Sequence, residues 1–215
     1  MNEEIEIVCH RGANELAPEN TYASAQYCID WGMDYLELDV NTSRDGVMYV
    51  FHGPDLARTT NRSSGKLYEL DSSEIDTLDC GRWFGPQFEG TKIPKLDEFL
   101  TWIDHRINLF FDVKWACLDD LVLLIKKHAL EQECFFWFGR DRLALEFAGL
   151  RSGLNLKINA TTPDDVKRAR ETYGASIVEF GLNDVTPELL SSCRALNMKT
   201  MILQRKADEI GRAHV

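Results

Sequence analysis

Short apolar runs rich in β-branched and aromatic residues alternate along this chain with stretches whose apolar positions recur every three to four residues. The runs predict strands over residues 5–9, 35–40, 47–51, 108–113, 134–138, 155–158, 176–180 and 199–203. The amphipathic stretches predict helices over 21–31, 96–104, 118–129, 142–150, 163–173 and 186–196, the last opening on Thr-Pro-Glu, an N-cap followed by proline at the first helical position. Alternation of strand and helix predicts an α/β fold. Two segments break it. The connection 41–46 is too short for a helix, so one strand–helix unit is irregular. Segment 54–92 is long, turn-rich and aromatic (Tyr68, Trp83, Phe84, Phe88), which predicts an insertion over one face rather than a piece of the wall.

The chain has 215 residues, 44% of them hydrophobic, enough for one sizeable core, and residues 1–209 are expected to form a single domain. Six cysteines (Cys9, Cys28, Cys80, Cys117, Cys134, Cys193) show no CxxC spacing and mostly sit in or beside apolar runs, the pattern of reduced structural thiols. The N-terminal Met-Asn-Glu-Glu is acidic and lacks the basic and long apolar regions of a secretory signal, and no apolar run of about eighteen residues could span a bilayer. These features predict a cytoplasmic location and no membrane span. A net charge of −11 argues against nucleic acid as a partner, because binding by counterion release needs a basic surface. An anionic small molecule would need a local positive site.

Ionisable residues collect at the ends of the first four strand candidates: His10 and Arg11, Glu37 with Asp39, His52, and Asp112 with Lys114. In a parallel barrel the C-terminal strand ends form the active face. Residues two apart on a strand point to one side, so Glu37 pairs with Asp39 and Asp112 with Lys114. Carboxylates converging inside a barrel would be costly unless neutralised, and a hard divalent cation such as Mg²⁺ or Ca²⁺ prefers oxygen ligands. An isolated Glu-Leu-Asp tripeptide would read more simply as a solvated edge strand. Repetition of the pattern on four strands argues for a site. Gly12 permits a tight turn after Arg11, whose fork suits phosphate, and imidazole is the natural acid or base near neutral pH. His105 and His128 have no such company and read as structural.

The run His10-Arg11-Gly12, then Pro18-Glu19-Asn20-Thr21, Glu37-Leu38-Asp39-Val40, Asp45-Gly46 and Phe51-His52, resembles the signature of the glycerophosphodiester phosphodiesterase family. Arg58-Thr59-Thr60, Ser64-Gly65, Ile93-Pro94-Lys95-Leu96-Asp97-Glu98 and Asp112-Val113-Lys114 continue it in order, so the resemblance covers roughly the first 115 residues. It implies a TIM (β/α)₈-type barrel with a small insertion (54–92) after the third strand. It implies that Glu37, Asp39 and Asp112 hold a divalent cation, that His10 and His52 are the acid/base pair, and that Arg11 and Lys114 bind phosphate oxygens. Glu19 would support the site or its turn. The implied activity is hydrolysis of a glycerophosphodiester, a small-molecule substrate, to glycerol 3-phosphate and an alcohol, a step of lipid and glycerol metabolism.

The chain departs from the family pattern at three places. Gly53 follows His52 where the family has Asp, and Asp112 stands where it has Glu; both changes resemble sphingomyelinase-D-like phospholipases. Met201-Ile202-Leu203-Gln204 replaces a Trp-Thr-Val-Asn-like strand end. Two alternatives therefore stand beside hydrolysis: a lysophospholipase-D-like reaction giving a cyclic phosphate, and an inactive truncated remnant or binding domain.

The last six residues, Ile-Gly-Arg-Ala-His-Val at 210–215, are what ATC GGA AGA GCA CAC GTC encodes, codons that precede a stop in a common sequencing adapter. This predicts a non-native tail and a barrel truncated before its closing strand. The first strand would then keep an unpaired apolar edge prone to self-association.

Overall fold

The computed structural model describes residues 5–203. Its organising element is an eight-residue strand whose alternation separates two environments: Leu36, Leu38 and Val40 join the main apolar core, while Glu37 and Asp39 point to the opposite face. This strand, β2 (Tyr35–Thr42), pairs in parallel with the short first strand β1 (Val8–Cys9), Val8 opposite Tyr35. Next in the chain, β3 (Met48–Val50) turns back and pairs antiparallel with β2, Val50 opposite Val40. The wall continues on the other side of β2 through β4 (Asn108–Val113), β5 (Cys134–Phe138), β6 (Asn155–Asn159), β7 (Ile177–Gly181) and β8 (Lys199–Leu203). All of these neighbours are parallel, in the order β1-β2-β4-β5-β6-β7-β8.

The third strand is therefore not a parallel stave as its place in the chain suggests. The connection 41–46 is short because it is a hairpin, closed by Gly46 at φ 89 and by Ser43 N–H donating to the Val47 carbonyl at 2.9 Å. Among the described residues no strand pairing joins β8 to β1, although Lys199 Nζ lies 3.6 Å from Glu6 Oε2 across that gap. The architecture is a curved parallel sheet with helices on its outside, the wall of a barrel. The 210–215 tail and any closing element after 203 lie outside the described residues.

Helices cover the outer face where their apolar stripes dictate. Helix α1 (Tyr22–Asp30) is capped by Thr21, whose hydroxyl accepts from Ser24 N–H. The single-turn α2 (Ser72–Ile75) lies in the insertion. In α3 (Leu96–Ile103) the buried residues Leu96, Phe99, Leu100 and Ile103 follow helical periodicity. Further on come α4 (Leu118–Lys127), α5 (Asp141–Gly149), α6 (Pro163–Tyr173) and α7 (Pro187–Ala195). Both α6 and α7 start on a threonine cap followed by proline, and α6 stops where Gly174 takes φ 63. Phe111 and Phe136 stack at 4.9 Å between β4 and β5, and Phe147 of α5 packs on Phe136 at 4.9 Å. Such fully buried rings stabilise the fold enough that Phe136→Ala would cost about 3–5 kcal/mol.

The insertion has a core of its own. Tyr49 and Phe51, on the side of β3 away from the main core, pack with Leu56, Leu67, Leu70, Ile75, Leu78, Cys80 and Ile93. Its aromatics Trp83, Phe84 and Phe88 instead pair edge-on with one another at 5.6 and 5.5 Å.

Candidate active site

Glu37, Asp39 and Asp112 offer carboxylate oxygens that all lie within 4.8 Å of one another. The register accounts for this: Asp39 on β2 stands opposite Asp112 on β4, and Glu37 is one pleat below Asp39. Glu37 and Asp39 are buried, at 2% and 0% exposure. The cluster is only partly satisfied by protein groups. The Arg11 backbone N–H donates to Glu37 Oε2 at 2.6 Å, and Asn20 Nδ2 donates to Asp39 Oδ2 at 2.7 Å. Lys114 Nζ donates to Asp112 Oδ2 and lies 3.1 Å from Asp39 Oδ1 as an ion pair without hydrogen-bond alignment. Asp39 Oδ1 and Asp112 Oδ1 are buried with no hydrogen-bond partner.

Three oxygen ligands with two orphaned atoms between them fit a hard divalent cation. Burial, then the charges of Asp39 and Asp112, pushes the Glu37 carboxyl well above the usual range. Burial likewise raises Asp112, although Lys114 opposes it. Lys114 is lowered by burial, but Asp39 and Asp112 outweigh that and hold it above its ordinary value.

Arg11 follows β1 in a left-handed conformation (φ 58), and Gly12 continues the turn at φ 77, where a Cβ would come within 2.7 Å of Ser24 Oγ. This turn points the guanidinium inward. Arg11 Nε lies 3.2 Å from Asp39 Oδ2, and Nη1 donates to Glu19 at 3.3 Å. Glu19 also accepts from Arg58 Nη1 at 2.9 Å, so it joins two arginines. Burial pushes its carboxyl up, yet the Arg58 hydrogen bond and the two positive charges bring it below its ordinary value. Glu19 thus supports both Arg11 and the insertion.

His52 reaches this face by an unexpected route. Because β3 descends alongside β2, Phe51 N–H donates to the Asp39 carbonyl at 3.0 Å and delivers the next residue to the level of the acidic cluster. Asn41 Nδ2 fixes the bend by donating to the carbonyls of Phe51, His52 and Gly53 at 2.9, 3.2 and 3.1 Å. Arg58 Nη2 approaches His52 Nδ1 at 3.4 Å. Burial lowers the His52 pKa, with Asp39 pulling the other way. His10, in the turn after β1, is exposed, yet the protein atoms crowded around its ring and then Arg11 push it down to about 4. Both imidazoles are therefore shifted toward the neutral form. His105 and His128 instead pair with Glu133 and Asp97 at 2.8 and 2.7 Å, apart from the cluster.

Four further residues belong to this constellation: Asn20 and Arg58, which the sequence offers only as motif members without a role, and Lys157 and Glu179, which it does not single out. Lys157 Nζ donates to Glu179 Oε2 at 2.8 Å in the barrel interior, and both are buried. A signal was present. Asn-Leu-Lys-Ile-Asn and Ile-Val-Glu-Phe-Gly place a charge between apolar neighbours, as Glu-Leu-Asp-Val does, but in a half of the chain with no motif to draw attention to it.

Known proteins resemble this chain in sequence and fold. A protein of Bacillus subtilis described as a "Putative glycerophosphodiester phosphodiesterase" is 38% identical over 108 residues, half of this chain but only 44% of that relative. The glycerophosphodiester phosphodiesterase of Caldanaerobacter subterraneus is 29% identical over 94% of this chain and 87% of its own length. The crystal structure of glycerophosphodiester phosphodiesterase from Agrobacterium tumefaciens superposes with a TM-score of 0.85 at 32% identity, covering 93% of this chain and 86% of that one. The sequence model described as "Glycerophosphoryl diester phosphodiesterase family" matches residues 10–128, more than half of the chain. That span runs from His10 through the acidic cluster to the end of α4, and on it the chain belongs to the glycerophosphoryl diester phosphodiesterase family.

Proposed function

We propose that this chain hydrolyses glycerophosphodiesters to glycerol 3-phosphate and an alcohol. The observation that carries the reading is one wall on which the carboxylates of Glu37, Asp39 and Asp112 meet the cations Arg11 and Lys114, with His10 next to Arg11 in its turn and His52 brought level with Asp39. Glu37, Asp39 and Asp112 would hold a divalent cation, Mg²⁺ or Ca²⁺, which when bound supplies positive charge for the phosphoryl oxygens. Arg11, braced by Glu19, and Lys114 bind the non-bridging oxygens and orient the phosphate.

The reaction needs two proton transfers. Water attacks phosphorus and gives its proton to one imidazole; the bond from phosphorus to the alcohol oxygen breaks, and the other imidazole protonates that oxygen. A neutral imidazole suits the base. The acid must carry a proton, and an anionic phosphodiester bound beside it raises its pKa in that direction. His10 and His52 fill these roles, and neither order is favoured by their geometry.

The insertion, tied to the site through Arg58 and Glu19, is proposed to shape the pocket for the alcohol group. The six thiols support a cytoplasmic setting. No helix of the described residues is long and apolar enough to cross a membrane. Residues 1–209 are read as one domain. Self-association through β1 is also proposed, because among the described residues only β2 pairs with it; sedimentation at several concentrations tests this.

The test of the function is an assay of purified protein against a panel of glycerophosphodiesters and lysolipids with Mg²⁺, Ca²⁺ or EDTA, read by phosphorus NMR. A glycerol 3-phosphate resonance supports hydrolysis. A cyclic phosphate as sole product would replace it with internal attack.

A further inference from the structure

Beyond the groups used above, the barrel interior holds a second charged cluster. Lys157 is 2% exposed and Glu179 7%. The Lys157 ammonium donates to Glu179 at 2.8 Å and to Asn159 Oδ1 at 3.0 Å, and lies 4.7 Å from the Trp137 ring centroid and 5.4 Å from that of Phe110. Trp137 stands opposite Asp112 in the strand register, and Lys114 Nζ lies 5.6 Å from the same ring. One indole therefore carries two cations, and the strand position beside it carries a proposed cation ligand. Burial pulls the Lys157 pKa below its ordinary value, and Glu179, then Asp112 and Glu37, oppose that pull.

A buried ion pair contributes little net stability, since apolar residues of similar volume usually serve as well. Its field, however, reaches its neighbours at low dielectric. Here the positive end is the one that faces the acidic cluster, and Glu179 and Asn159 keep it in place.

We propose that the Lys157–Glu179 pair tunes divalent-cation affinity at Glu37, Asp39 and Asp112, with Lys157 as a positioning residue whose positive charge, sustained by Glu179, weakens cation binding and keeps it exchangeable. The inference rests on the cation reading of that triad. Its sign is specific. Removing the Glu179 charge alone should weaken binding at a pH low enough to keep the uncompensated Lys157 protonated, whereas removing both charges should tighten it. A purely structural role would weaken binding in both cases.

The test is calorimetric titration of the purified full chain with Mg²⁺ alone and Ca²⁺ alone, comparing Glu179→Gln with the double variant Lys157→Met/Glu179→Gln. Circular dichroism and thermal unfolding in EDTA confirm the fold of each. A unit charge acting on a divalent cation about 10 Å away at an effective dielectric near 20 predicts binding weaker by about 10²-fold for Glu179→Gln, and the double variant should bind several-fold tighter than the unsubstituted chain. The double variant leaves no charge at positions 157 and 179, so it reports even if the single one fails to fold. Unchanged affinity, or weakening in both variants, overturns the inference and leaves the cation reading standing. Failure of the unsubstituted chain to bind either cation overturns both.

Discussion

Asn20 and Asp39 hold each other through two hydrogen bonds: Asn20 Nδ2 donates to Asp39 Oδ2 at 2.7 Å, and the Asp39 backbone N–H donates to Asn20 Oδ1 at 3.2 Å. Both residues are buried, and Asn20 takes φ 58, a conformation asparagine tolerates better than most residues. The turn before α1 is thereby clamped to the middle of β2, which fixes Asp39 in orientation. Asn20→Gly keeps the backbone conformation and removes both bonds. It should cost about 1–3 kcal/mol by chemical denaturation, the penalty for a buried acceptor that loses its partner. A change below about 0.5 kcal/mol, the usual range for surface substitutions, would show the clamp to be incidental.

Glu37→Gln should separate stability from function. A carboxyl whose pKa is raised on folding binds its proton more tightly in the folded chain, so its burial is increasingly unfavourable as pH rises above the unfolded value. The amide oxygen can still accept from Arg11 N–H. In EDTA at pH 7 the variant should melt higher, by about 2–4 °C for each kcal/mol gained, while losing cation binding and turnover. A lower melting temperature would contradict the burial cost assigned to Glu37.

His10 gives the opposite pH dependence. Its pKa falls from the ordinary 6.5 to about 4 on folding, so below pH 6.5 the unfolded chain takes up a proton that the folded chain refuses. Stability of the cation-free protein should decline as pH falls from about 6.5 to about 4 and level off below, as far as this residue is concerned. Denaturation across that range should show a shallower decline for His10→Ala. Equal slopes would place His10 in a more solvated environment.

Much of this arrangement was legible beforehand. The strands at 108–113, 134–138 and 199–203 and the helix at 163–173 coincide with the observed elements because alternation and end signals agree there. Glu37, Asp39 and Asp112 converge as residues two apart on neighbouring parallel strands must. What a linear reading misses is direction and cross-chain pairing. Nothing in Val47-Met48-Tyr49-Val50-Phe51 says that the strand runs antiparallel, except the shortness of the loop before it. Asn20 reads as a turn residue, and only the folded chain shows its amide meeting Asp39. Lys157 and Glu179, twenty-two positions apart, are joined solely by the β6–β7 register.

Asp45 anchors that antiparallel hairpin to the insertion. It accepts from Ser43 Oγ at 2.6 Å, from Ser72 N–H at 2.9 Å and from Ser72 Oγ at 2.6 Å, and these bonds lower its pKa to about 2. Its contribution is present above the unfolded carboxyl range and is lost as pH falls through about 2. Asp45→Ala should loosen the insertion, read as faster proteolysis within residues 54–92 and a lower melting temperature at pH 7. Because the same hairpin delivers His52, turnover should fall as well. Unaltered protease resistance would mean that the insertion's apolar core holds it alone.

The central claim, that His10 and His52 act across a phosphodiester held at the acidic cluster, is tested most directly by following glycerol 3-phosphate release from a glycerophosphodiester. The unsubstituted chain should show release that requires Mg²⁺ or Ca²⁺ and stops in EDTA. His10→Ala and His52→Ala should each lower the rate by about 10²–10⁴, the usual size of an acid/base contribution. Release that persists in EDTA, or that survives both substitutions at more than about a hundredth of the original rate, would contradict the account.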